Sequence, residues 1–305
     1  MTIRHKLSGI YSPVLTPFHA DLSPDTQAFV RHCQWLIDNL CGLAVFGTNS
    51  EANSLSVAER RGLLDALLAA GVPSARLLPG TGCCSLTDAV ELTRHATTAG
   101  VGGVLMLPPF YYKGVSDDGL FRHFAEVIER VGDSRLRIYL YHIPPVAQVP
   151  ISLALIERLL KAYPTAIAGI KDSSGDWSNT EAMLKQFQPE GFDVFAGSEV
   201  FLLRTLRSGG AGCITATGNV NPAPMVDLFQ SWQGPEADAQ QTALDVTRAA
   251  FQKYPLISAM KSAVAHYGKR PSWRTVRPPL TELTQQQERS LVDALDTIGF
   301  RMPGL

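Results

Sequence analysis

The sequence predicts an α/β protein, a TIM-type (β/α)8 barrel with a C-terminal helical extension. Two observations predict it. Short apolar runs that end in turn residues recur eight times between Gly9 and Asn219, and each is followed by a segment with helical spacing of its apolar residues. Eight near-equal units fit a closed parallel barrel better than an open doubly wound sheet, which rarely needs so many.

The candidate strands are GIYSPVLTPF from Gly9, GLAVFGTN from Gly42, RLLPGT from Arg76, GGVLMLPP from Gly102, RIYLYHIP from Arg137, AIAGIKDS from Ala166, FDVFAGS from Phe192 and AGCITATGN from Ala211. Their apolar stretches are nearly unbroken rather than alternating, as expected of parallel strands covered on both faces. Helix starts are legible between them. Ser56 with Glu59 and Ser178 with Glu181 match the capping-box pattern, and Pro24 and Pro222 follow Ser23 and Asn221, the order expected of a cap and a first helical residue. After Asn219 strand signals stop, and residues 222–305 read as helical apart from turns at Pro271 and Pro278-Pro279. One of these helices completes the barrel. No low-complexity linker separates the rest, so the expectation is a barrel over residues 1–234 with a helical extension, 235–305, packed on it.

A chain of 305 residues, 45% of them hydrophobic, buries a large core. Net charge is −1 and only 18% of residues are charged, which argues against nucleic acid or an anionic membrane as partner and favours a small molecule. The start lacks the apolar core of a signal peptide, and no run approaches the roughly 20 residues that span a bilayer, so the expected location is the cytoplasm. Five cysteines, Cys33, Cys41, Cys83, Cys84 and Cys213, are odd in number and read as reduced thiols filling the interior. No CxxC or HxxxH spacing suggests a metal site.

In a β/α barrel the loops after the strands form the active face, so polar residues at strand ends are read first for chemistry. Lys171 ends the apolar run AIAGI. A cation at the mouth of an apolar core must be paired, must reach water, or must serve as an amine. In the structural reading it is solvated or salt-bridged. In the functional reading desolvation favours the free amine, which attacks a ketone to form a Schiff base whose iminium withdraws electrons. That chemistry needs a proton shuttle, and Tyr141, on the adjacent strand end, suits it; a tyrosine in a strand is otherwise an amphipathic core filler.

The turn GTNSEA offers the Thr48 hydroxyl, the Asn49 amide and backbone N–H groups after Gly47 to a carboxylate, or is a glycine turn with helix-capping residues. Glu51 equally suits a structural partner of its own turn. Tyr111 and Tyr112 read as core or interface aromatics. His142 should face away from Tyr141 by strand alternation and reads as structural, which weakens a metal-dependent aldolase.

FGTNSEANSLSVAER, YHIPP and GIKDSSGD, in that order on the second, fifth and sixth strands and continued by FAGSE and GGAGCITATGNVNP, resemble the dihydrodipicolinate synthase and N-acetylneuraminate lyase family of class I aldolases. The resemblance implies a homotetrameric or dimeric barrel whose lysine forms a Schiff base with pyruvate or the pyruvyl end of a 2-oxo acid, with no other cofactor. It implies that Lys171 is the Schiff-base lysine, Tyr141 the proton shuttle and Thr48 a proton relay that also helps bind the carboxylate. Tyr111 matches the tyrosine that family members insert into a neighbouring subunit's site, with Phe110 and Tyr112 one residue either side. Gly197 and Ile214 match positions lining the pyruvyl pocket.

Departures narrow the implied substrate. Val146 stands where the synthases carry an arginine that binds a carboxylate, and valine makes no bidentate contact. Glu199 is followed by Val200 where sialic acid lyases use an acidic pair. GTN, with Asn49 still a hydrogen-bond donor, and KDSSGD, with Ser173 two residues past the lysine, resemble the branch that cleaves 4-hydroxy-2-oxoglutarate. The expectation is a metal-independent lyase or synthase acting on a 2-oxo acid; a 4-hydroxy-tetrahydrodipicolinate synthase, a 2-oxo acid dehydratase and a ligand-binding barrel without turnover are the alternatives.

Overall fold

The computed structural model describes residues 7–305. Along the chain run β1 (Gly9–Ser12), α1 (Thr26–Asp38), β2 (Gly42–Leu43), α2 (Val57–Ala69), α3 (Leu86–Thr98), β3 (Val104–Met106), α4 (Asp117–Val131), β4 (Ile138–His142), α5 (Pro144–Ala147), α6 (Leu153–Ala162), β5 (Ile167–Asp172), α7 (Trp177–Phe187), β6 (Asp193–Ala196), α8 (Leu202–Arg207), β7 (Gly212–Ile214), α9 (Pro222–Ser231), α10 (Ala237–Gln252), α11 (Leu256–Tyr267) and α12 (Gln285–Thr297). The pairings β1–β2, β3–β4, β4–β5, β5–β6 and β6–β7 are all parallel, and strands alternate with helices as a TIM-type β/α barrel requires. Two compact units divide the chain: Pro73–Ile214 with the described residues up to Gly9, and Ile10–Val72 with Thr215–Leu305.

In the first unit the strands follow the order β7-β6-β5-β4-β3. Its interior holds Leu105, Met106, Leu140, Ile170, Val194 and Phe195, each at most 1% exposed. At the N-terminal ends of the strands Tyr139 fills the interior, and a Cβ at Gly169 would stand 2.7 Å from its ring and one at Gly103 2.8 Å. The Tyr139 hydroxyl donates to Asp193 at 2.8 Å and the Leu7 N–H to the same carboxylate at 3.1 Å. That end is closed by packing, which leaves the opposite ends to carry chemistry.

The third candidate strand, RLLPGT, is a single bridge, Gly80 with Leu105, rather than a continuous strand. It still runs beside β3: the Leu105 N–H donates to Pro79 O at 2.9 Å and the Thr81 N–H to Leu105 O at 3.0 Å. Pro79 has no N–H to extend the ladder.

In the second unit β1 and β2 pair Tyr11 with Gly42 and Ser12 with Leu43. The Asn219 side chain joins two loops: its oxygen accepts from Leu15 N–H at 2.8 Å, and its amide donates to Pro13 O at 3.1 Å and Ala216 O at 2.9 Å. In α11 Ser258 to Ala265 are all buried.

Ser56 and Glu59 form the predicted capping box, and Pro222 opens α9 behind Asn221. Two starts differ. The cap of α7 is Asp176, whose carboxylate accepts from Ser178 N–H at 2.9 Å, so Ser178 lies inside the helix; Gly175 at φ +78° turns the chain just before it. The cap of α1 is Asp25 rather than Ser23, because Asp25 accepts from Ala28 N–H, whereas Ser23 donates its hydroxyl to Asp21. Cys33, Cys41 and Cys213 are buried as expected, but Cys83 is half-buried and Cys84 exposed, since both lie in the turn before α3 rather than on a covered face. Among the described residues no helix is long and apolar enough to cross a membrane.

Candidate active site

The parallel register sets Tyr141 opposite Lys171 at the ends of β4 and β5. Both side chains are 2% exposed. The lysine amine donates to the phenol oxygen at 3.3 Å and stands 4.3 Å from the centroid of the tyrosine ring. Among the described residues no carboxylate pairs with this amine. Of the three fates open to a cation there, pairing with an acid is absent and exposure to water is minimal. An amine beside a phenol is a pairing able to support carbonyl addition and its proton transfers.

The next residue on each strand builds a support on the other face, as strand alternation dictates. His142 lies opposite Asp172, and its Nδ1 accepts from Ile151 N–H at 2.9 Å. Burial lowers the His142 pKa, against the pull of the Asp172 charge. Asp172 is 3% exposed and accepts from Ser174 N–H at 2.9 Å, Ser174 Oγ at 3.1 Å, Asn179 Nδ2 at 3.1 Å and Thr180 Oγ1 at 2.6 Å. One carboxylate therefore fastens the loop after β5 and the first turn of α7 to the strand end that carries Lys171. In the sequence, Asp172 is marked only by its place directly after a strand-end lysine, a signal too weak to assign it a role.

Ser173 and Gly197 are close neighbours. The Ser173 N–H donates to His142 O and the Gly197 N–H to Asp172 O, each at 2.7 Å, and a Cβ on Gly197 would lie 2.0 Å from Ser173 Oγ. Glu199 is wholly buried in a short 3-10 turn before α8, and Ile214, ending β7, is also fully buried. Tyr111 and Tyr112 are 74% and 71% exposed and meet edge to face at 5.3 Å, so neither is a core residue of this chain. Val146, at 61% exposure, presents no charge.

Thr48 and Asn49 are half-buried in a 3-10 turn, Thr48–Ser50, of the second unit. Gly47 N–H donates to Ser50 Oγ at 3.2 Å, and Thr16 Oγ1 to Ser50 O at 2.7 Å. The turn is bracketed by two left-handed residues that are not glycine, Phe46 at φ +61° and Glu51 at φ +55°; each costs about 1–3 kcal/mol and persists only where its surroundings determine it. The Glu51 carboxylate takes an ion pair from Lys261, both side chains being wholly buried, and accepts from Arg277 N–H at 2.9 Å. Lys261 also donates to Thr275 O at 2.7 Å and lies 4.5 Å from the Phe18 ring centroid. Burial draws the Lys261 pKa down to about 8, opposed by the Glu51 charge. In the sequence, Lys261 stands out only as the one charge within the small and apolar run ISAMKSAVA. No cluster of three or more His, Cys, Asp or Glu side chains suited to a metal occurs among the described residues.

Parallel strands alternating with helices, with a buried amine against a phenol at adjacent strand ends, fit a barrel enzyme of the carbon–carbon lyase and synthase class. The model of the dihydrodipicolinate synthetase family matches residues 6–298. The chain belongs to that family. It is 34% identical over 294 residues to an uncharacterized DapA-like lyase of Chloroflexus aurantiacus, covering 95% of this chain and 96% of the relative. The crystal structure of dihydrodipicolinate synthase from Agrobacterium tumefaciens matches with a TM-score of 0.85 at 33% identity, over 95% of this chain and 99% of that one. YagE, a prophage protein of the same family from Escherichia coli K12 solved in complex with pyruvate, matches with a TM-score of 0.87 at 28% identity, over 96% and 99% of the two chains.

Proposed function

We propose that this chain makes or breaks a C–C bond next to a pyruvate-type 2-oxo acid through an iminium on Lys171. The observation that carries the reading is the buried lysine amine, 3.3 Å from Tyr141 Oη and without a carboxylate partner among the described residues. The amine adds to the ketone carbon, the carbinolamine oxygen leaves as water after protonation, and the iminium results. In the cleavage direction the hydroxyl beside the breaking C–C bond gives its proton to the Tyr141 phenolate, the bond's electron pair moves toward the iminium, an aldehyde departs and an enamine remains. Protonation of the enamine carbon and addition of water then release pyruvate and free the lysine. Tyr141 carries the protons, with Thr48 as relay, and Thr48 and Asn49 hold the carboxylate. Ser173, Gly197, Glu199 and Ile214 are assigned to substrate binding, and Tyr111 to the site of a neighbouring copy in a homo-oligomer.

The uncharged, exposed Val146 argues against condensation with aspartate semialdehyde, whose carboxylate an arginine would clamp, while the GTN turn and KDSSGD favour 4-hydroxy-2-oxoglutarate, whose distal carboxylate is then held by other groups. The likeness to the Agrobacterium synthase, at 33% identity, supports the 4-hydroxy-tetrahydrodipicolinate synthase alternative. Product analysis decides between them: pyruvate and glyoxylate from 4-hydroxy-2-oxoglutarate support the first, a condensation product from pyruvate and aspartate semialdehyde the second. Borohydride reduction in the presence of pyruvate tests the shared step. The expected result is a pyruvyl mass added at Lys171; folded protein that turns over substrate without labelling there overturns the reading.

A further inference from the structure

We infer that Lys261 is a positioning residue, whose buried pair with Glu51 holds the turn that presents Thr48 and Asn49 in its left-handed setting. This rests on the reading that the turn binds the substrate carboxylate. Glu51 closes the Thr48–Ser50 turn at φ +55°, ψ +34° and opens the next, Ala52–Ser54. A glutamate gains nothing locally from that conformation, because its Cβ crowds the backbone there. Its side chain supplies the compensation: one carboxylate oxygen takes the Lys261 amine and the other the Arg277 N–H.

The partners are themselves anchored. Lys261 projects from the buried α11 and also donates to Thr275 O. The Arg277 guanidinium donates to Leu22 O at 2.9 Å and to the Glu59 carboxylate at 2.9 Å. Phe18 packs against both cations, 4.5 Å from the Lys261 amine and 4.7 Å from the Arg277 guanidinium carbon. A buried ion pair contributes little net stability compared with apolar residues of the same volume. Fixing geometry is the better account of why one is kept here, two residues beyond Asn49. Loss of the pair lets residue 51 relax out of the left-handed region and turns the hydroxyl of Thr48 and the amide of Asn49 away from their setting. Substrate affinity suffers, while the lysine that forms the iminium is untouched.

The test compares two double variants, each of which removes both charges and so strands neither in the interior. Lys261→Met with Glu51→Gln keeps a side chain at position 51 that resists the left-handed conformation; Lys261→Met with Glu51→Gly places there the residue that adopts it freely. Reductive labelling with pyruvate is followed by mass spectrometry across pyruvate concentrations. The glutamine double variant should need about tenfold more pyruvate for half-maximal labelling, about the ratio expected from releasing 1.4 kcal/mol of conformational constraint, with an unchanged plateau. The glycine double variant should return to within about threefold of wild type, a recovery that lost core packing alone does not produce. Equal half-saturation in wild type and both double variants overturns the inference, as do equal losses in both or a fall confined to the plateau. Thr48→Val separates the two levels. If it leaves half-saturation unchanged, the carboxylate reading fails, whereas the glutamine-to-glycine contrast still decides the clamp. Where wild type takes no label, crystal structures of the double variants decide it, with φ near +55° at position 51 retained in the variant carrying Glu51→Gly and abandoned in the one carrying Glu51→Gln as the supporting result and retention in both as the overturning one.

Discussion

Tyr141 and Lys171 stand directly opposite in the parallel register of β4 and β5, and the amine lies 3.3 Å from the phenol oxygen. Register alone would bring any two residues at these positions within reach; shared burial, 2% exposure each, sets this pair apart. Replacing Lys171 by Ala should abolish the borohydride-trapped pyruvyl adduct in protein whose circular dichroism is unchanged. Label appearing on another lysine would refute the assignment.

Tyr141→Phe separates the phenol from its ring. The ring face, 4.3 Å from the amine, remains, and only the proton-carrying oxygen goes. Turnover should fall by about 10²–10⁴-fold, the usual worth of a positioned general acid–base. Trapping at saturating pyruvate should still reach full labelling over hours. A variant that turns over within a factor of a few of wild type would remove Tyr141 from the proton path.

Strand positions and the lysine–tyrosine pair were legible in the sequence because both follow from short-range rules: near-unbroken apolar runs mark buried parallel strands, and a cation at the end of such a run is anomalous on its own. What supports the pair was not legible. Asp172 looks like a solvated loop acid until Thr180 and Asn179, a helix turn away, are seen to converge on it. Lys261 and Glu51 are 210 residues apart, and no local pattern links them. The missed cap at Asp176 shows the same limit at short range, since Ser178 with Glu181 matches a capping pattern just as well until backbone conformation chooses.

Gly197 has a packing reason that can be measured. An alanine there meets Ser173 Oγ at 2.0 Å, Asp172 O at 2.7 Å and Ser173 Cα at 2.8 Å. Gly197→Ala should lose about 1–3 kcal/mol in chemical denaturation, the usual cost of overpacking. Adding Ser173→Gly removes the first contact but not the backbone ones, so it should recover only part of the loss. Full recovery would mean the backbone yields more easily than these distances imply.

His32 gives a pH dependence of known sign. Its imidazole is buried between Trp35, with ring centroids 5.6 Å apart, and Trp273, at 4.9 Å. Burial holds its pKa down at about 4, below the ordinary 6.5, and the Arg270 charge acts in the same direction. The unfolded chain therefore binds the proton first as pH falls. The associated stability is fully present above about 6.5 and declines between 6.5 and 4, the loss reaching about 3 kcal/mol at the lower limit by linkage. His32→Phe, which preserves stacking without a titrating group, should flatten the stability profile over that window. An unchanged slope in urea titrations would assign the acid sensitivity elsewhere.

Asp172→Ala tests whether the strand end is held from behind. The substitution leaves the Ser174 N–H, the Asn179 amide and the Thr180 hydroxyl without their acceptor, and Thr180 is 1% exposed. Stranding buried donors costs about 1–3 kcal/mol each where water does not replace the acceptor, so a loss of about 2–4 kcal/mol overall is expected. Asn is not a neutral control. Its oxygen can keep the Ser174 N–H, but its NH₂ then faces the Asn179 amide, donor against donor. Thr180 can rotate to accept, so Asp172→Asn should recover part of the stability only. If the carboxylate orients the end of β5, the rate of Lys171 labelling at saturating pyruvate should fall in the order wild type, Asn, Ala, at temperatures where all three are folded. Stability that falls in that order while labelling rates stay equal would make Asp172 a fastening for α7 alone, with the lysine held sufficiently by the β4 and β6 ladders on either side.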